Sequence, residues 1–245
     1  MTDENPAAPH PHTHHLRVQR TARYYTLGGE SGDILALWIA LHGYGQLAGE
    51  FVRYFADLAD EHTLIVAPEA MNRFYLVGIN KPASERPVGA TWMTREDRAS
   101  EIADYVEYLD ALREEIAAEP VEKGAKLNII GFSQGTATAT RWITHGRVRP
   151  NRVVFWGGVM PPETDLARGH DVLHGARVTL VAGTRDQYID DAVLAAEQAR
   201  LDAAAIPYDV IRFDGGHAIN RRVFPQLRGD GPRATAVTPI RASDR

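Results

Sequence analysis

The stretch Leu127–Arg141 reads LNIIGFSQGTATATR and decides both the fold and the chemistry that we expect. Leu127, Ile129 and Ile130 form a short apolar run typical of a buried strand, and small residues that can begin a helix follow GFSQG. A serine at the tip of such a turn is forced towards positive φ, and the flanking glycines relieve the crowding because they carry no Cβ. The pattern predicts that Ser133 is held above the carboxyl edge of a sheet.

The composition predicts one globular α/β domain. The chain has 245 residues, 44% of them hydrophobic, and a formal net charge of −5 without a basic patch for nucleic acid. Its longest unbroken apolar run, Ile34–Leu41, is too short to span a bilayer, and the N-terminus lacks an apolar signal-peptide core. We therefore expect a cytoplasmic protein with no stable membrane insertion. Cysteine is absent, which excludes disulfides, thiolate zinc sites and a cysteine nucleophile.

Three segments are predicted along the chain. Residues 1–15, rich in Pro and His without apolar periodicity, form a flexible N-terminal tail; residues 16–228 form the single domain; residues 229–245 form a loose C-terminal tail. The histidines of the first tail have no carboxylate or rigid element nearby to fix a metal's geometry, so we predict no metal site. These histidines are His10, His12, His14 and His15.

Alternating strands and helices predict a mostly parallel central sheet with helices on both faces. An opening strand is expected from Leu16 to Leu27, and Ile34–Leu41 is apolar throughout, as in a strand buried on both faces. The remaining buried strands, besides the one before Ser133, are predicted at Leu64–Ala67, Val153–Trp156, Val178–Ala182 and Tyr208–Phe213.

The connections between these strands are predicted to be helices, with one long loop. A helix should run from Arg95 to Ala118, capped by Thr94 and stopped by Pro120. Residues 70–93 show no clear period, and a loop of that length in a compact domain is usually functional.

Three candidates for acyl transfer follow predicted strands, where open α/β sheets carry their reactive groups. Ser133 is the candidate nucleophile, and it needs a base because a serine hydroxyl is a poor nucleophile at neutral pH. His217, behind two glycines, titrates in the useful range, and Asp186 would fix its tautomer and stabilise the imidazolium. The order Ser, Asp, His is the one expected for α/β-hydrolases.

A candidate anion site lies beside this group. The backbone N–H of Gln134, at the start of a helix, and that of Tyr44, after His42 and Gly43, can point at one place. There they would stabilise a tetrahedral oxyanion.

With these motifs the chain resembles the carboxylesterase, lysophospholipase and acyl-protein thioesterase family of α/β-hydrolases. The resemblance implies an α/β-hydrolase fold, for which we expect no large separate lid domain, and no metal or organic cofactor. It also implies a small-molecule ester or thioester substrate in a shallow apolar groove. The motifs that carry it are Leu41-His42-Gly43-Tyr44-Gly45, Gly131-Phe132-Ser133-Gln134-Gly135, Gly183-Thr184-Arg185-Asp186 and Gly215-Gly216-His217.

Several apolar residues are candidates for contact with substrate, although each could equally be an ordinary core residue. Trp92 occupies the position where the family carries a loop tryptophan near the active site. The sequence departs from the family at the next two positions and in its longer N-terminal segment, so acyl-chain length is not carried over. The candidates are Trp92, Met93, Trp156, Met160 and Ile189.

Other residues compete for the assigned roles. Asp190, Asp191 and Asp214 are alternatives to Asp186, but the first two suit a helix cap better. His42 is expected to brace the oxyanion loop. The remaining alternative bases, which have no strand immediately before them, are His145, His170 and His174.

The sequence thus predicts a serine carboxylesterase acting on short- to medium-chain acyl esters through an acyl-enzyme. A lysophospholipase or acyl-protein thioesterase using the same triad is the nearest alternative, and a homodimer is compatible with the sequence. Two alternative functions from other classes of protein stay open. One is a non-catalytic α/β-hydrolase-fold binding protein. The other is an NAD-binding oxidoreductase, in which Gly43, Gly45 and Ala48 form the dinucleotide fingerprint and Glu69 binds the ribose.

Overall fold

The computed structural model describes residues 11–78, 82–228 and 238–240. Its strands are β1 (Tyr24–Leu27), β2 (Ala36–Leu41), β3 (Thr63–Pro68), β4 (Asn72–Tyr75), β5 (Val88–Thr91), β6 (Lys126–Phe132), β7 (Arg152–Trp156), β8 (Arg177–Gly183), β9 (Tyr208–Phe213) and β10 (Thr238–Ile240). Its α-helices are α1 (Ala48–Phe51), α2 (Arg98–Glu122), α3 (Gln134–His145), α4 (Leu166–Gly175), α5 (Asp191–Ala203) and α6 (Phe224–Arg228). Short 3-10 helices cover Val52–Phe55, Ala83–Glu85 and Arg221–Val223.

The central sheet has eight strands in the order β1-β3-β2-β6-β7-β8-β9-β10. Only β1 runs antiparallel, against β3; the other neighbours pair in parallel. Parallel strands need crossover connections, and the helices between them provide these. The predicted mostly parallel α/β sheet is confirmed, and the described residues include no separate lid domain.

Helices cover both faces of the sheet, and strand β2 shows why its sequence is apolar throughout. Leu37, Ile39 and Leu41 belong to the core under α2, α3, α4 and α5. Trp38 and Ala40 point the other way, into the core formed with α1 and α6. Successive side chains of a strand alternate between faces, so a strand covered on both sides must be apolar at every position.

The region expected to be a long loop contains a two-stranded hairpin. Strands β4 and β5 pair antiparallel, and Gln46 forms an isolated antiparallel bridge with Ala90. The hairpin therefore lies against the loop that follows β2. Each of its strands has only four residues, and no residue of β4 is buried, so no apolar period marked the hairpin in the sequence.

The predicted boundaries of two elements were wrong. The opening strand begins at Tyr24, so residues 16–23 are not part of it. Helix α2 starts at Arg98 instead of Arg95 and continues through Pro120 to Glu122. Pro120 lies in the last turn, where its missing N–H removes one backbone hydrogen bond from the helix. Thr94 accepts a hydrogen bond from Glu96 N at 3.1 Å, ahead of the helix.

The two predicted tails are described only in part. Residues 1–10, 229–237 and 241–245 lie outside the described residues. Within the N-terminal segment, His15 contacts Asp97 at 3.0 Å, near the start of α2. In the C-terminal segment, residues 238–240 pair in parallel with β9 at the sheet edge, so these three differ from the loose tail that we predicted. None of the helices in the described ranges is long and apolar enough to cross a membrane.

Candidate active site

Ser133 occupies the sharp turn between β6 and α3, with φ 53° and ψ −116°. Its N–H donates to the carbonyl of Trp156, the last residue of the adjacent strand β7, at 2.9 Å. The turn closes only because its neighbours lack a Cβ. A Cβ on Gly131 would lie 2.4 Å from the carbonyl oxygen of Gly135, and one on Gly135 would lie 2.1 Å from that of Leu41. The strand, strained turn and helix that GFSQG predicts are therefore present.

Asp186 and His217 are in direct contact although they follow different strands. Their side chains meet at 2.9 Å between His217 Nδ1 and Asp186 Oδ2. The other carboxylate oxygen of Asp186 accepts from the N–H groups of Tyr188 and Ile189 at 2.9 and 3.1 Å. The carboxylate is buried and held by three donors, so it fixes the imidazole in one orientation.

The imidazole of His217 lies beside the serine turn. Its ring centroid is 5.0 Å from that of Phe132, the residue before Ser133. A Cβ on Gly157, directly after β7, would lie 3.2 Å from two atoms of the same ring. The ends of the adjacent strands β6 and β7 thus face His217, while β8 and β9 supply Asp186 and His217. Four neighbouring strands end at one place.

The loop after β2 holds the N–H of Tyr44 between two N–H groups that are already hydrogen-bonded. Gly43 N–H donates to the side chain of Gln46 at 2.8 Å, and Gly45 N–H donates to the carbonyl of Ala90 at 2.8 Å. Among the described residues, no acceptor binds the N–H of Tyr44 between them. The same holds for Gln134 N–H at the first position of α3, where helical geometry leaves N–H groups without an intrahelical partner.

His42 is fully buried and braces this loop, as expected. Its Nε2 accepts from Ala70 N–H at 3.0 Å, so Nδ1 carries the proton and donates to the carbonyl of Gly43 at 2.8 Å. Burial lowers the pKa of His42, because the charged form would lose its hydration. A neutral imidazole with both nitrogens engaged has no free atom with which to act as a base.

The structure places four of the five apolar candidates inside the core. Trp92, Trp156 and Met160 are buried, and each is tied to a loop of the site or to a neighbouring helix. The indole N–H of Trp92 donates to the carbonyl of His42 at 2.9 Å, and that of Trp156 donates to the carbonyl of Ala218 at 3.0 Å. These side chains hold the site in shape and present no surface to a substrate.

Ile189, the fourth buried candidate, and the partly buried Met93 lie next to residues of the site. Met93 is half-buried, and its carbonyl accepts from the side chain of Gln134 at 3.0 Å. Ile189 is buried, and its N–H belongs to the donors around Asp186.

Sequence reasoning missed the apolar residues that are exposed at the site. Tyr188 is 63% exposed, and its ring meets that of His217 edge-on at a centroid distance of 4.7 Å. Tyr44 is 61% exposed, and its ring packs 5.2 Å from Phe74 of the hairpin. Leu76 lies next to Gly45, where an added Cβ would be 3.2 Å from it. For Tyr44 and Tyr188, closeness to the motif residues in sequence was the only available signal, and Leu76 had none, since exposed apolar residues follow no period.

The competing acids and bases have other partners. Asp190 caps α5 by accepting from Val193 N–H at 2.8 Å, and Asp191 pairs with Arg212. Asp214 pairs with Arg185 on the surface. The alternative histidines lie in helices: His145 ends α3, and the rings of His170 and His174 stack on α4 at 5.5 Å.

The geometry does not support the alternative prediction of an NAD-binding site. The side chain of Glu69, its proposed ribose ligand, is fully buried and accepts from Arg23 Nε at 2.7 Å and Arg73 Nε at 2.6 Å. Burial alone would raise the pKa of Glu69, but these hydrogen bonds from Arg23 and Arg73 lower it. Helix α1 after the glycines has only four residues, too few to direct a helix dipole at a pyrophosphate.

The comparison that decides the family covers most of the domain. The family model described as Phospholipase/Carboxylesterase matches residues 33–228. The chain belongs to this family. Membership in this phospholipase/carboxylesterase family places the chain among hydrolases. No curated protein matches the sequence.

Solved structures share the fold of this phospholipase/carboxylesterase-family protein. An acyl-protein thioesterase 2 from Zea mays is 17% identical with a TM-score of 0.63, covering 84% of this chain and 96% of that one. A carboxylesterase from Mesorhizobium loti is 18% identical with a TM-score of 0.61, covering 84% and 92%. The esterase PE8 is 20% identical with a TM-score of 0.57, covering 85% and 96%. These likenesses show the α/β-hydrolase fold.

Proposed function

We propose that this phospholipase/carboxylesterase-family protein is a serine carboxylesterase that hydrolyses short- to medium-chain acyl esters through an acyl-enzyme. The observation that carries the proposal is the 2.9 Å hydrogen bond between Asp186 and His217, beside a serine held at φ 53°. A strained serine and an oriented imidazole at one sheet edge are what nucleophilic acyl transfer requires.

In the proposed reaction, Ser133 Oγ attacks the ester carbonyl while its proton passes to His217 Nε2. Nδ1 is engaged by Asp186, so Nε2 is the nitrogen left to accept it. The C–O bond to the alcohol then breaks, and His217 returns the proton to the departing oxygen. In the second half, water gives its proton to His217 and attacks the acyl carbon, which releases the carboxylic acid and restores Ser133.

The negative oxygen of each tetrahedral intermediate would be held by the N–H groups of Tyr44 and Gln134. Both donors lack another acceptor in the described part of the chain, and Gln134 N–H opens α3, where the helix dipole favours negative charge. Donors that are already in place need no reorganisation when the charge develops, and this preorganisation is commonly the largest contribution to catalysis.

The acyl group would lie on the exposed apolar surface beside the oxyanion loop, formed by Tyr44, Phe74 and Leu76. Tyr44 is exposed and Phe74 is half-buried, so their rings offer a shallow surface instead of a closed tunnel. A shallow surface buries only a few methylenes, each contributing about 0.8 kcal/mol, and this favours short to medium chains.

The test compares Ser133→Ala with Ser31→Ala, using p-nitrophenyl butyrate. Ser31 lies in the turn before β2, at the amino end of that strand, whereas the site lies at the carboxyl ends. It is the matched control. We expect Ser133→Ala to lose turnover by about 10⁴-fold or more, as removal of a triad nucleophile does, with its unfolding curve unchanged. Ser31→Ala should keep its rate. An active Ser133→Ala variant would refute the assignment of the nucleophile.

A lysophospholipase or acyl-protein thioesterase with the same residues is the second candidate. The phospholipase part of the family description and the maize thioesterase among the structural neighbours favour it. Rates on p-nitrophenyl esters from acetate to palmitate, on a lysophospholipid and on one acyl-CoA separate the two. A maximum at short to medium esters supports the carboxylesterase. A preference for the lysophospholipid or the thioester supports the second candidate, and inactivity on every substrate supports a non-catalytic binding protein.

A further inference from the structure

The two proposed oxyanion donors come from distant parts of the chain, yet a continuous series of hydrogen bonds connects them. Tyr44 N–H belongs to the loop after β2, and Gln134 N–H belongs to the first turn of α3. An oxyanion hole works only if both donors point at one oxygen. The contacts that hold the two N–H groups in position relative to each other therefore affect catalysis.

The first link is the side chain of Gln134, which binds the end of β5 and the two residues after it. Its Nε2 donates to Thr91 Oγ1 at 2.8 Å and to the carbonyl of Met93 at 3.0 Å. Its Oε1 accepts from the backbone N–H of Trp92 at 3.2 Å. Three hydrogen bonds thus fix residues 91–93 to the residue that supplies one donor.

The second link is the indole of Trp92, which reaches the other loop. Its Nε1–H donates to the carbonyl of His42 at 2.9 Å, and its ring lies 5.1 Å from the imidazole at an angle of 31°. Both side chains are buried, where water cannot replace a lost hydrogen bond. The position of His42 therefore follows that of residues 91–93.

The third link is the imidazole of His42, which sets the orientation of the donor itself. Its Nδ1–H donates to the carbonyl of Gly43 at 2.8 Å. That carbonyl and the N–H of Tyr44 belong to the same planar peptide unit and point in opposite directions. A hydrogen bond on the carbonyl therefore holds the Tyr44 N–H in one direction and polarises it as a donor.

We propose that the indole N–H of Trp92 and the side-chain amide of Gln134, acting through His42, are positioning groups that fix both oxyanion donors as one rigid unit. This inference rests on the proposed function and adds to it a role for two side chains that touch no substrate. Gln134 then serves twice, with its backbone N–H as a donor and its side chain as a brace. Trp92 acts from within the core and is not part of a binding surface.

The test is Trp92→Phe, which removes the indole N–H and keeps an aromatic ring in the core. Removing one oxyanion donor outright costs about 10²–10³ in kcat, so misaligning one should lower kcat by about tenfold. KM should change by less than about twofold, because the donors act mainly in the transition state. Gln134→Met, which keeps the volume and loses three hydrogen bonds, should behave in the same way and provides a second variant if Trp92→Phe folds poorly.

Trp142→Phe is the matched control. Trp142 is equally buried and loses an equivalent bond, from its Nε1–H to Asp110 Oδ1 at 2.8 Å, but it touches neither oxyanion loop. A purely structural role of Trp92 would make the two variants alike in kcat. A loss confined to Trp92→Phe and Gln134→Met supports the proposal.

A thiono ester, in which sulfur replaces the carbonyl oxygen, provides a readout specific to the hole. Sulfur is a weak acceptor, so the wild-type protein should prefer the oxo ester strongly, and Trp92→Phe should reduce that ratio of kcat/KM. Trp142→Phe should leave the ratio unchanged. An unchanged ratio in Trp92→Phe and Gln134→Met would overturn the inference. Activity surviving in Ser133→Ala would instead overturn the proposed function, so the two failures are distinguishable.

Discussion

The two sides of the site are built differently. On the side of the proposed oxyanion donors, His42, Trp92 and Gln134 are linked by side-chain hydrogen bonds, and the side chains of His42 and Trp92 are buried. On the base side, His217 follows two glycines, lies under the exposed ring of Tyr188, and has its imidazole 16% exposed.

The difference matches what each side must do. Backbone donors of an oxyanion hole act by being fixed before charge develops, so rigid support is useful. An imidazole must accept a proton from the serine and return it to a leaving group or take one from water. One strong bond to Asp186 orients it while leaving its other nitrogen open. Substitutions around His217 should therefore lower kcat by misorienting the imidazole. Substitutions around the proposed oxyanion donors should lower kcat by loosening donors that are otherwise fixed in advance.

The largest expected effect is that of Asp186→Asn on the base side. An amide in place of the carboxylate favours the wrong tautomer of His217, and in the serine protease template this costs about 10⁴ in kcat. Asp191→Asn is the control, because the side chain of Asp191 is 91% exposed and pairs with Arg212 on the surface. Steady-state kinetics on p-nitrophenyl butyrate provide the comparison. Equal losses in the two variants would move the acid role away from Asp186.

Gly183→Ala should have the next largest effect, because β8 passes very close to the loop that carries His217. A Cβ there would lie 2.3 Å from the carbonyl oxygen of Gly215, so one backbone segment must move. Overpacking of this kind costs about 1–3 kcal/mol of unfolding free energy, and a displacement of the base by about 1 Å costs about 10² in kcat. Urea unfolding and kcat measure the two effects.

Gly216→Ala is the matched control for that change. Its added Cβ would meet only the carbonyl oxygen of Arg185, at 3.7 Å, which is ordinary contact. We expect near-normal stability and activity. Equal damage from both alanines would show that the glycines serve flexibility and not the close approach at Gly183.

The pH dependence of stability tests the oxyanion side. Burial lowers the pKa of His42, while in the unfolded chain it titrates near its ordinary value of about 6.5. As pH falls below that value, the unfolded state binds a proton that the folded state does not. His42 should then remove about 1.4 kcal/mol of stability per pH unit until its folded pKa is reached.

Urea unfolding at pH 7.5 and pH 5.5 measures this slope, and His42→Asn should make it smaller. His145→Gln is the control, since burial and the nearby cations Arg168 and Arg141 also lower the pKa of His145. His145→Gln should remove only the contribution of His145 to the slope and leave that of His42 in place. A slope unaffected by His42→Asn would mean that His42 is not held neutral.

Tyr188→Ala should have the smallest effect. The ring meets the His217 imidazole edge-on at 4.7 Å, a contact of about 0.5–1.5 kcal/mol that can be made by any aromatic ring. We expect kcat to fall by about threefold in Tyr188→Ala and to stay unchanged in Tyr188→Phe. A large loss in Tyr188→Phe would assign the hydroxyl a role that the ring contact does not explain.

The sequence predicted the parts of the site that depend on local pattern. Ser133, Asp186 and His217 each follow a buried strand and a glycine, and neighbouring parallel strands end at one edge, so their proximity could be expected. The hairpin β4–β5 could not be expected, because its position depends on the bond from Gly45 N–H to Ala90, far away in sequence.

The role of Trp92 was beyond sequence reasoning for the same reason. Its position in a loop of the site suggested contact with substrate, and only the fold shows that its indole points to the carbonyl of His42. Conversely, the exposed ring of Tyr188 follows no periodicity. Patterns along the chain identify groups at strand ends, whereas the supports between loops depend on tertiary contacts.

The most direct test of the account is to locate the acyl group on the enzyme. Trypsin should release Leu127–Arg141, which contains Ser133 as its only serine. After brief reaction with p-nitrophenyl pivalate and acid quenching, mass spectrometry should find the added pivaloyl group in this peptide, on Ser133, and should find none in Ser133→Ala. Turnover of the ester with the acyl group on another peptide, or with the adduct persisting in Ser133→Ala, would contradict the proposed mechanism.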